Sequence, residues 1–127
     1  RWPMMDHASR VDVILGKLAQ EKGALGAALV SRDGLCVRSV GKSDLARETF
    51  SAMSATVMGA AEIALHELDG GPTRSIVAST DKVMFIVVGA SREMLIIVSA
   101  TTDTPMPPLV GKVQQAAAEM AKVLTGA

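Results

Sequence analysis

The sequence predicts a single mixed α/β domain with the element order α-β-β-α-β-β-β-α. Its 127 residues are enough for one hydrophobic core and too few for two. Apolar residues recur at helical spacing in three segments and form strand-like runs in the segments between them. The turns between neighbouring runs are short, which is typical of antiparallel strands. We expect residues 9–125 to form this domain and residues 1–8 to be a disordered or vector-derived N-terminus.

Helix one is predicted over residues 9–22. Ser9 and Asp12 resemble a capping box at its start, and Gly23 suits the position after its end. The apolar residues of its inner face have helical spacing and are Val11, Ile14, Leu15 and Leu18.

A β-hairpin is predicted next, with strands over residues 25–30 and 35–40. Asp33-Gly34 between them is the strongest short hairpin signal available, because glycine readily adopts the positive φ that tight hairpin turns require. Asp33 is therefore interpreted as a turn former and not as a catalytic acid. Cys36 falls in the second strand and is interpreted as a small packing residue, not as a nucleophile.

A long second helix is predicted over residues 45–68, with Ser43 or Asp44 as its N-cap and Gly70-Gly71-Pro72 as its stop. One apolar stripe is expected to pack on the sheet, formed by Phe50, Met53, Val57, Ala61, Ala64, Leu65 and Leu68. A second, small-residue face lies largely off that stripe and consists of Ala52, Ala55, Thr56, Gly59, Ala60 and Ile63. Something besides the sheet should cover this face, so we expect an interface there. The alternative is tight packing within one subunit.

Three further strands are predicted over residues 73–79, 83–88 and 94–100. The second and third are apolar on both alternating faces, so we expect them at the centre of a sheet that helices cover on both sides. The first is mixed in polarity. It is predicted to be an edge strand, or one half of a sheet that another chain continues.

The C-terminal segment is predicted to contain a loop and a helix. Residues 101–108 are expected to form the loop, because Pro105, Pro107 and Pro108 interrupt regular structure. The last helix then runs to about Leu124, with Gly126 beyond its end.

Gly41-Lys42-Ser43 resembles the end of a nucleotide-binding loop. Such a loop needs a glycine five residues before Gly41, and that position is Cys36. The backbone cradle for a phosphate is therefore missing, and the segment is interpreted as a strand exit and helix cap.

His66-Glu67 begins like the helix of a zinc protease, but Gly70 stands where the second histidine belongs. His7 is near the N-terminus, and Cys36 has no partner at metal-ligand spacing. The sequence therefore predicts no metal site, no cofactor and no catalytic residue, and we do not expect an enzyme.

Charge and composition narrow the classes of partner. The chain has 13 Lys and Arg residues and 13 Asp and Glu residues, so its formal net charge is zero. A neutral chain lacks the excess positive charge that would attract nucleic acid or an anionic membrane. With no Tyr, one Trp and two Phe, an aromatic platform for stacking bases is nearly excluded. The sequence has no apolar run long enough to cross a bilayer, and its one cysteine cannot form an internal disulfide. We expect a cytoplasmic protein that binds another protein, without nucleic acid or membrane insertion.

In their order, these segments resemble the Roadblock/dynein light chain family over about residues 9–125. The resemblance is carried by GALGAALVSRDGLCVRSVG at 23–41, FSAMSATVMGAAEIALHEL at 50–68, the Gly70-Gly71 break and KVMFIVVG at 82–89. It implies a five-stranded antiparallel sheet, with the long central helix on one face and the N- and C-terminal helices on the other.

The resemblance also implies a homodimer joined through helix two and the edge strand, with no nucleotide site of its own. Members of the family regulate or scaffold Ras-like small GTPases, so the expected partners are a second copy of the chain and such a GTPase. The candidate interface is the small-residue face together with Arg74, Ile76 and Ala78 of the edge strand. A scaffold subunit without effect on GTP turnover and a small-ligand sensor domain stay open as alternatives.

An inserted arginine finger is not expected. Arg38, Arg47, Arg74 and Arg92 are interpreted as solvated or structural. If the chain activates its GTPase, we expect it to position the GTPase's own residues.

Overall fold

The computed structural model describes residues 7–42 and 48–126, in the predicted element order. The elements are α1 (His7–Ala19), β1 (Ala24–Ser31), β2 (Cys36–Gly41), α2 (Glu48–Glu67), β3 (Ile76–Ser79), β4 (Val83–Gly89), β5 (Met94–Thr101) and α3 (Met106–Thr125). The predicted caps Ser43 and Asp44, and also Arg47, lie outside the described residues.

The five strands form one antiparallel sheet in the order β2-β1-β5-β4-β3. The prediction that β4 and β5 are interior strands is confirmed, as is the edge position of β3. In β3, Ile76 pairs with Val87 and Ala78 pairs with Phe85. The other side of β3 faces no strand in the described part of the chain.

Each face of the sheet carries its own apolar cluster. The larger cluster lies between the sheet and the helices α1 and α3, and it includes Leu15, Ile86, Ile96 and Met120. The smaller cluster lies on the α2 face and is formed by Ala28, Val30, Met58, Val87, Leu95 and Ile97. Alternate residues of β5 point to opposite faces, so residues 94–98 of this strand contribute to both clusters and form an unbroken apolar run.

Two helix starts differ from the predictions. The described part of α1 already includes His7, so Ser9 lies inside the helix and the predicted capping box is wrong. α3 begins at Met106, so Pro107 and Pro108 form its first turn instead of a loop. Proline is accepted there because the first N–H groups of a helix have no partner within it, and because its fixed φ suits the helix. The predicted stop at Gly126 is confirmed, with φ 76°.

The β1–β2 hairpin turns at Asp33-Gly34, as predicted. The N–H of Gly34 donates to the carbonyl of Ser31 at 2.9 Å, and Gly34 has a φ of 94°. A register shift between Leu29 and Val30 places a bulge in the ladder to β2.

Candidate functional site: the outward face of helix α2

Helix α2 turns small polar residues toward the sheet. Its buried residues are Ser51, Ser54 and Met58, and Ala55 packs beside them on the smaller cluster. These positions are spaced three and four residues apart and therefore share one side of the helix. Ser51, Ser54 and Ala55 are short, and Met58 is the large side chain on this side of the helix.

Several larger apolar residues of α2 point away from the sheet, whereas Phe50 and Met58 pack on the smaller cluster. Met53 is 55% exposed and Val57 39%, and Ala64 is exposed as well, so the prediction that these three residues pack on the sheet is wrong. For Phe50 the prediction is confirmed. Leu68, beyond the end of the helix, is 76% exposed. Hydrophobic periodicity did not predict this orientation, because it assumes that the bulkier apolar residues face inward. The Ser51, Ser54, Ala55 and Met58 spacing was the signal for the true inward side.

We call the exposed apolar side of α2 the outward face, consisting of Met53, Thr56, Val57, Ala60, Ile63 and Ala64. Ile63 is its most prominent member, with 69% exposure. The face has no charged side chain. Residues 53–64 extend over about 17 Å of helix. At its N-terminal end, Met53 also lines an open depression with Glu48, Thr49 and Phe50.

The predicted interface residues divide between two sides of α2. Thr56, Ala60 and Ile63 belong to the outward face, whereas Ala55 packs on the smaller cluster. Ala52 faces the hairpin at Gly34. Gly59 lies at the side of the helix, and a β-carbon added to it would meet no atom within 4 Å. That observation removes the alternative in which Gly59 is needed for tight packing within one subunit.

The predicted edge-strand residues sit beside the smaller cluster. Ile76 and Ala78 are half-buried members of β3, and Ile76 packs against that cluster. Arg74 is exposed and precedes the strand. In the described part of the chain, β3 pairs with β4 only.

Contacts to the sheet fix both ends of α2. At the first turn, the rings of Phe50 and Phe85 meet edge to face with centroids 5.6 Å apart. In the second half, Nη1 of Arg32 donates to Oε1 of Glu62 at 2.8 Å. The α2 segment from Glu48 to Asp69 contains acidic side chains and no Lys or Arg, and Arg32 supplies a cation to one of these acids.

The Gly41-Lys42 segment is a strand exit, as predicted. Gly41 pairs with Gly26, and a β-carbon on Gly41 would lie 2.6 Å from the Cα of Gly26. The N–H of Lys42 donates to the carbonyl of Leu25 at 2.9 Å. That amide is therefore bonded within the sheet and not presented to a phosphate.

Cys36 is half-buried and packs against the smaller cluster, on the α2 face of the sheet. Burial raises the pKa of its thiol. The Sγ–H group donates to the carbonyl of Arg38 at 3.5 Å. A neutral thiol in this setting packs as a small apolar group, in agreement with the prediction.

The opposite side of the molecule offers a small cleft between α1 and α3. Its volume is about 130 Å³, and Ile14, Leu18 and Ala116 form its apolar part. Lys112 reaches across it to Glu21 with an N–O distance of 3.7 Å. Among residues 7–42 and 48–126, no group of His, Cys, Asp and Glu side chains is arranged to hold a metal ion. Within the same ranges, no helix combines the length and apolarity needed to cross a membrane.

Several solved structures share this fold. Among solved structures, MglB in a tetrameric arrangement matches with a TM-score of 0.84 and 16% identity, over 97% of this chain and 93% of that chain. The gliding protein MglB of Thermus thermophilus matches with a TM-score of 0.84 and 16% identity, over 98% of this chain and 95% of that chain. A Roadblock/LC7 domain of Streptomyces avermitilis matches with a TM-score of 0.81 and 21% identity, over 90% of this chain and 97% of that chain. At these identities the likeness concerns the fold.

The search of curated proteins found no match. The family model of the Roadblock/LC7 domain matches residues 10–100, which include the hairpin, α2 and the three-strand meander. The chain therefore belongs to the Roadblock/LC7 domain family.

Proposed function

We propose that this chain is a non-catalytic, homodimeric and cytoplasmic regulator of a Ras-like small GTPase, with residues 9–125 as its single domain. The GTPase would dock on a platform built from the two copies of α2. The observation that carries the proposal is the inverted polarity of α2, which buries Ser51 and Ser54 while Ile63 is 69% exposed. Large exposed apolar surfaces on small soluble domains mark contacts with other proteins.

The first occupant of the outward face would be a second copy of the chain. Ala60 at the middle of the face has little bulk, and the face has no charge that pairing would desolvate. Two copies of one helix related by a two-fold axis give an isologous contact. The open edge of β3 would extend the contact into a sheet shared by both subunits. MglB, a structural relative at 16% identity, forms a tetrameric arrangement.

The GTPase is proposed from family membership. Members of the Roadblock/LC7 family regulate or scaffold Ras-like GTPases. The outward face would be the surface on which such a partner docks. The N–H of Lys42 is used within the sheet, which favours a nucleotide held by the partner. The small-ligand alternative has less support. The α1–α3 cleft of about 130 Å³ is below the roughly 300 Å³ of typical ligand sites. The larger depression at the start of α2, of about 750 Å³, is open to solvent and, in the described part of the chain, is lined only by Glu48, Thr49, Phe50 and Met53, so it would enclose little of a ligand.

The test is single-turnover GTP hydrolysis by Ras-like GTPases from the same genome, with and without the chain. We expect a change in hydrolysis rate with the parent chain and none with Ile63→Arg. Ala118→Arg, on the exposed side of α3, serves as the control and should act like the parent. Binding of the GTPase with an unchanged rate would indicate the scaffold alternative. Absence of binding to every GTPase tested would contradict both.

A further inference from the structure

The two halves of α2 are held to the sheet in different ways. The fully buried residues of the helix, Ser51, Ser54 and Met58, all lie before Gly59. Over residues 59–67, the inward positions Ala61, Glu62 and Leu65 are only half-buried. The second half therefore has little apolar anchorage, and one of its inward positions is an acid.

Arg32 lies between this second half and the ends of the strands. Nη1 of Arg32 donates to Oε1 of Glu62, and the N–H of Arg32 donates to the carbonyl of Glu93 at 2.8 Å. A β-carbon on Gly89 would lie 3.1 Å from Nη2, so the guanidinium packs against bare backbone at the end of β4. Its Nε is buried, with no hydrogen-bond partner in the described part of the chain. One residue of the β1–β2 turn thus contacts the β4–β5 turn through its backbone N–H, and the end of β4 and α2 through its guanidinium.

We propose that Arg32 is the positioning residue of the outward face. It fixes the second half of α2, which carries Ile63, relative to the sheet and so determines the shape of the surface on which a partner docks. Gly59 marks the junction of the two halves. Glycine has the lowest helix propensity of the residues in α2, and among the described residues no atom outside the helix's own backbone lies within 4 Å of a β-carbon added here.

The chemistry at this contact requires arginine. Its planar guanidinium can donate to Glu62 through Nη1 while its other nitrogens lie against backbone, whereas the lysine ammonium is a compact point charge. Glu62 at a half-buried inward position needs a cation, because an unpaired charge that is partly removed from water is costly. Arg32→Met retains much of the apolar stem and removes the pairing, and Glu62→Gln removes the pairing from the other side.

Hydrogen exchange of the full chain tests this role of Arg32. We expect Arg32→Met and Glu62→Gln to raise exchange of the amides in residues 59–67 about five-fold while residues 48–58 stay unchanged. The matched control is Arg38→Met. It removes a comparably exposed ion pair in which Nε of Arg38 donates to Oδ1 of Asp12 at 2.8 Å, linking β2 to α1. This control should leave exchange of residues 59–67 unchanged.

A merely structural role for Arg32 would lower global stability and raise exchange throughout α2. That result, or unchanged exchange in residues 59–67 for both variants, would overturn the inference. Arg32→Lys should give exchange closer to Arg32→Met than to the parent, and full rescue by lysine would also count against it.

The docking consequence rests on the proposed function and has its own measurement. The dimer dissociation constant should rise about five-fold for Arg32→Met and stay unchanged for Arg38→Met. An unchanged dimer dissociation constant for Arg32→Met would overturn the inference and leave the proposed function intact. A parent chain that is monomeric would contradict the proposed function, while the exchange experiment would still decide the role of Arg32.

Discussion

A β-carbon placed on Gly34 would lie 2.9 Å from the Cα of Ala52, so the tip of the β1–β2 hairpin contacts the backbone of α2. Gly34 is buried and has a φ of 94°, which L side chains rarely adopt. One glycine therefore meets two separate requirements, a tight turn and a close approach between the hairpin and the helix that carries the outward face.

Gly34→Ala should lower the free energy of unfolding by about 2–4 kcal/mol, because backbone strain adds to the clash with Ala52. Gly71→Ala is the matched control. Gly71 has a φ of 77° but no atom within 4 Å of an added β-carbon, so strain alone should cost about 1–2 kcal/mol. Urea denaturation monitored by circular dichroism measures both values. Equal losses for the two variants would show that the hairpin does not press against α2.

The inverted polarity of α2 can be tested at two adjacent residues. Ser54→Leu should destabilise the chain by about 1–3 kcal/mol, because a larger side chain at this buried position pushes α2 away from the sheet. Met53→Leu, on the outward face, should change the unfolding free energy by less than about 0.5 kcal/mol. Thermal and urea denaturation compare the two. A Ser54→Leu variant as stable as the parent would mean that Ser54 does not face the sheet.

The thiol of Cys36 gives a pH-dependent prediction. Because burial raises the pKa of Cys36, the folded chain has less thiolate than the unfolded chain at the same pH. Alkylation by iodoacetamide at neutral pH should therefore be slower in the native chain than in urea. The native rate should keep rising at pH values where the rate of the unfolded chain has levelled off. Cys36 is the one cysteine of the chain, so total labelling reports on it directly. A native rate equal to the unfolded rate across the pH range would contradict the raised pKa.

Much of the fold could be predicted from the sequence because its signals are local. Asp33-Gly34 requires a turn, the runs at β4 and β5 are too apolar for any position but the interior, and Gly70-Gly71-Pro72 cannot continue a helix. The orientation of α2 could not be predicted in the same way. Its inward side carries Ser51 and Ser54 together with Met58, while Met53 and Val57 are exposed, and a rule that turns every bulky apolar residue inward does not predict this division. The Arg32–Glu62 pair joins residues 30 positions apart, and no spacing rule predicts it.

Gly59 separates an effect on association from an effect on folding. Gly59→Arg should preserve or raise helicity, because arginine has up to ~1 kcal/mol better helix propensity than glycine and an added β-carbon meets no atom. Association with a second copy or with the GTPase should be lost, because the bulky charged side chain extends beside the outward face. Gly16→Arg in α1 is the control, since Gly16 is also helical with no atom within 4 Å. Helicity, melting temperature and oligomeric mass are measured together. A Gly59→Arg variant that stays dimeric, melts like the parent and still binds its GTPase would show that this region of α2 takes part in neither contact.

Sedimentation equilibrium of the parent chain and of Ile63→Arg tests the central claim most directly. If the outward face of α2 is an interface, the parent should sediment at twice the 13.2 kDa chain mass at micromolar concentration. Ile63→Arg should sediment as a folded monomer with an unchanged circular dichroism spectrum, because an unpaired arginine at the centre of an apolar contact is costly to desolvate. Ala118→Arg should remain dimeric. A parent chain that stays monomeric up to high micromolar concentration, or an Ile63→Arg variant that stays dimeric, would contradict the account.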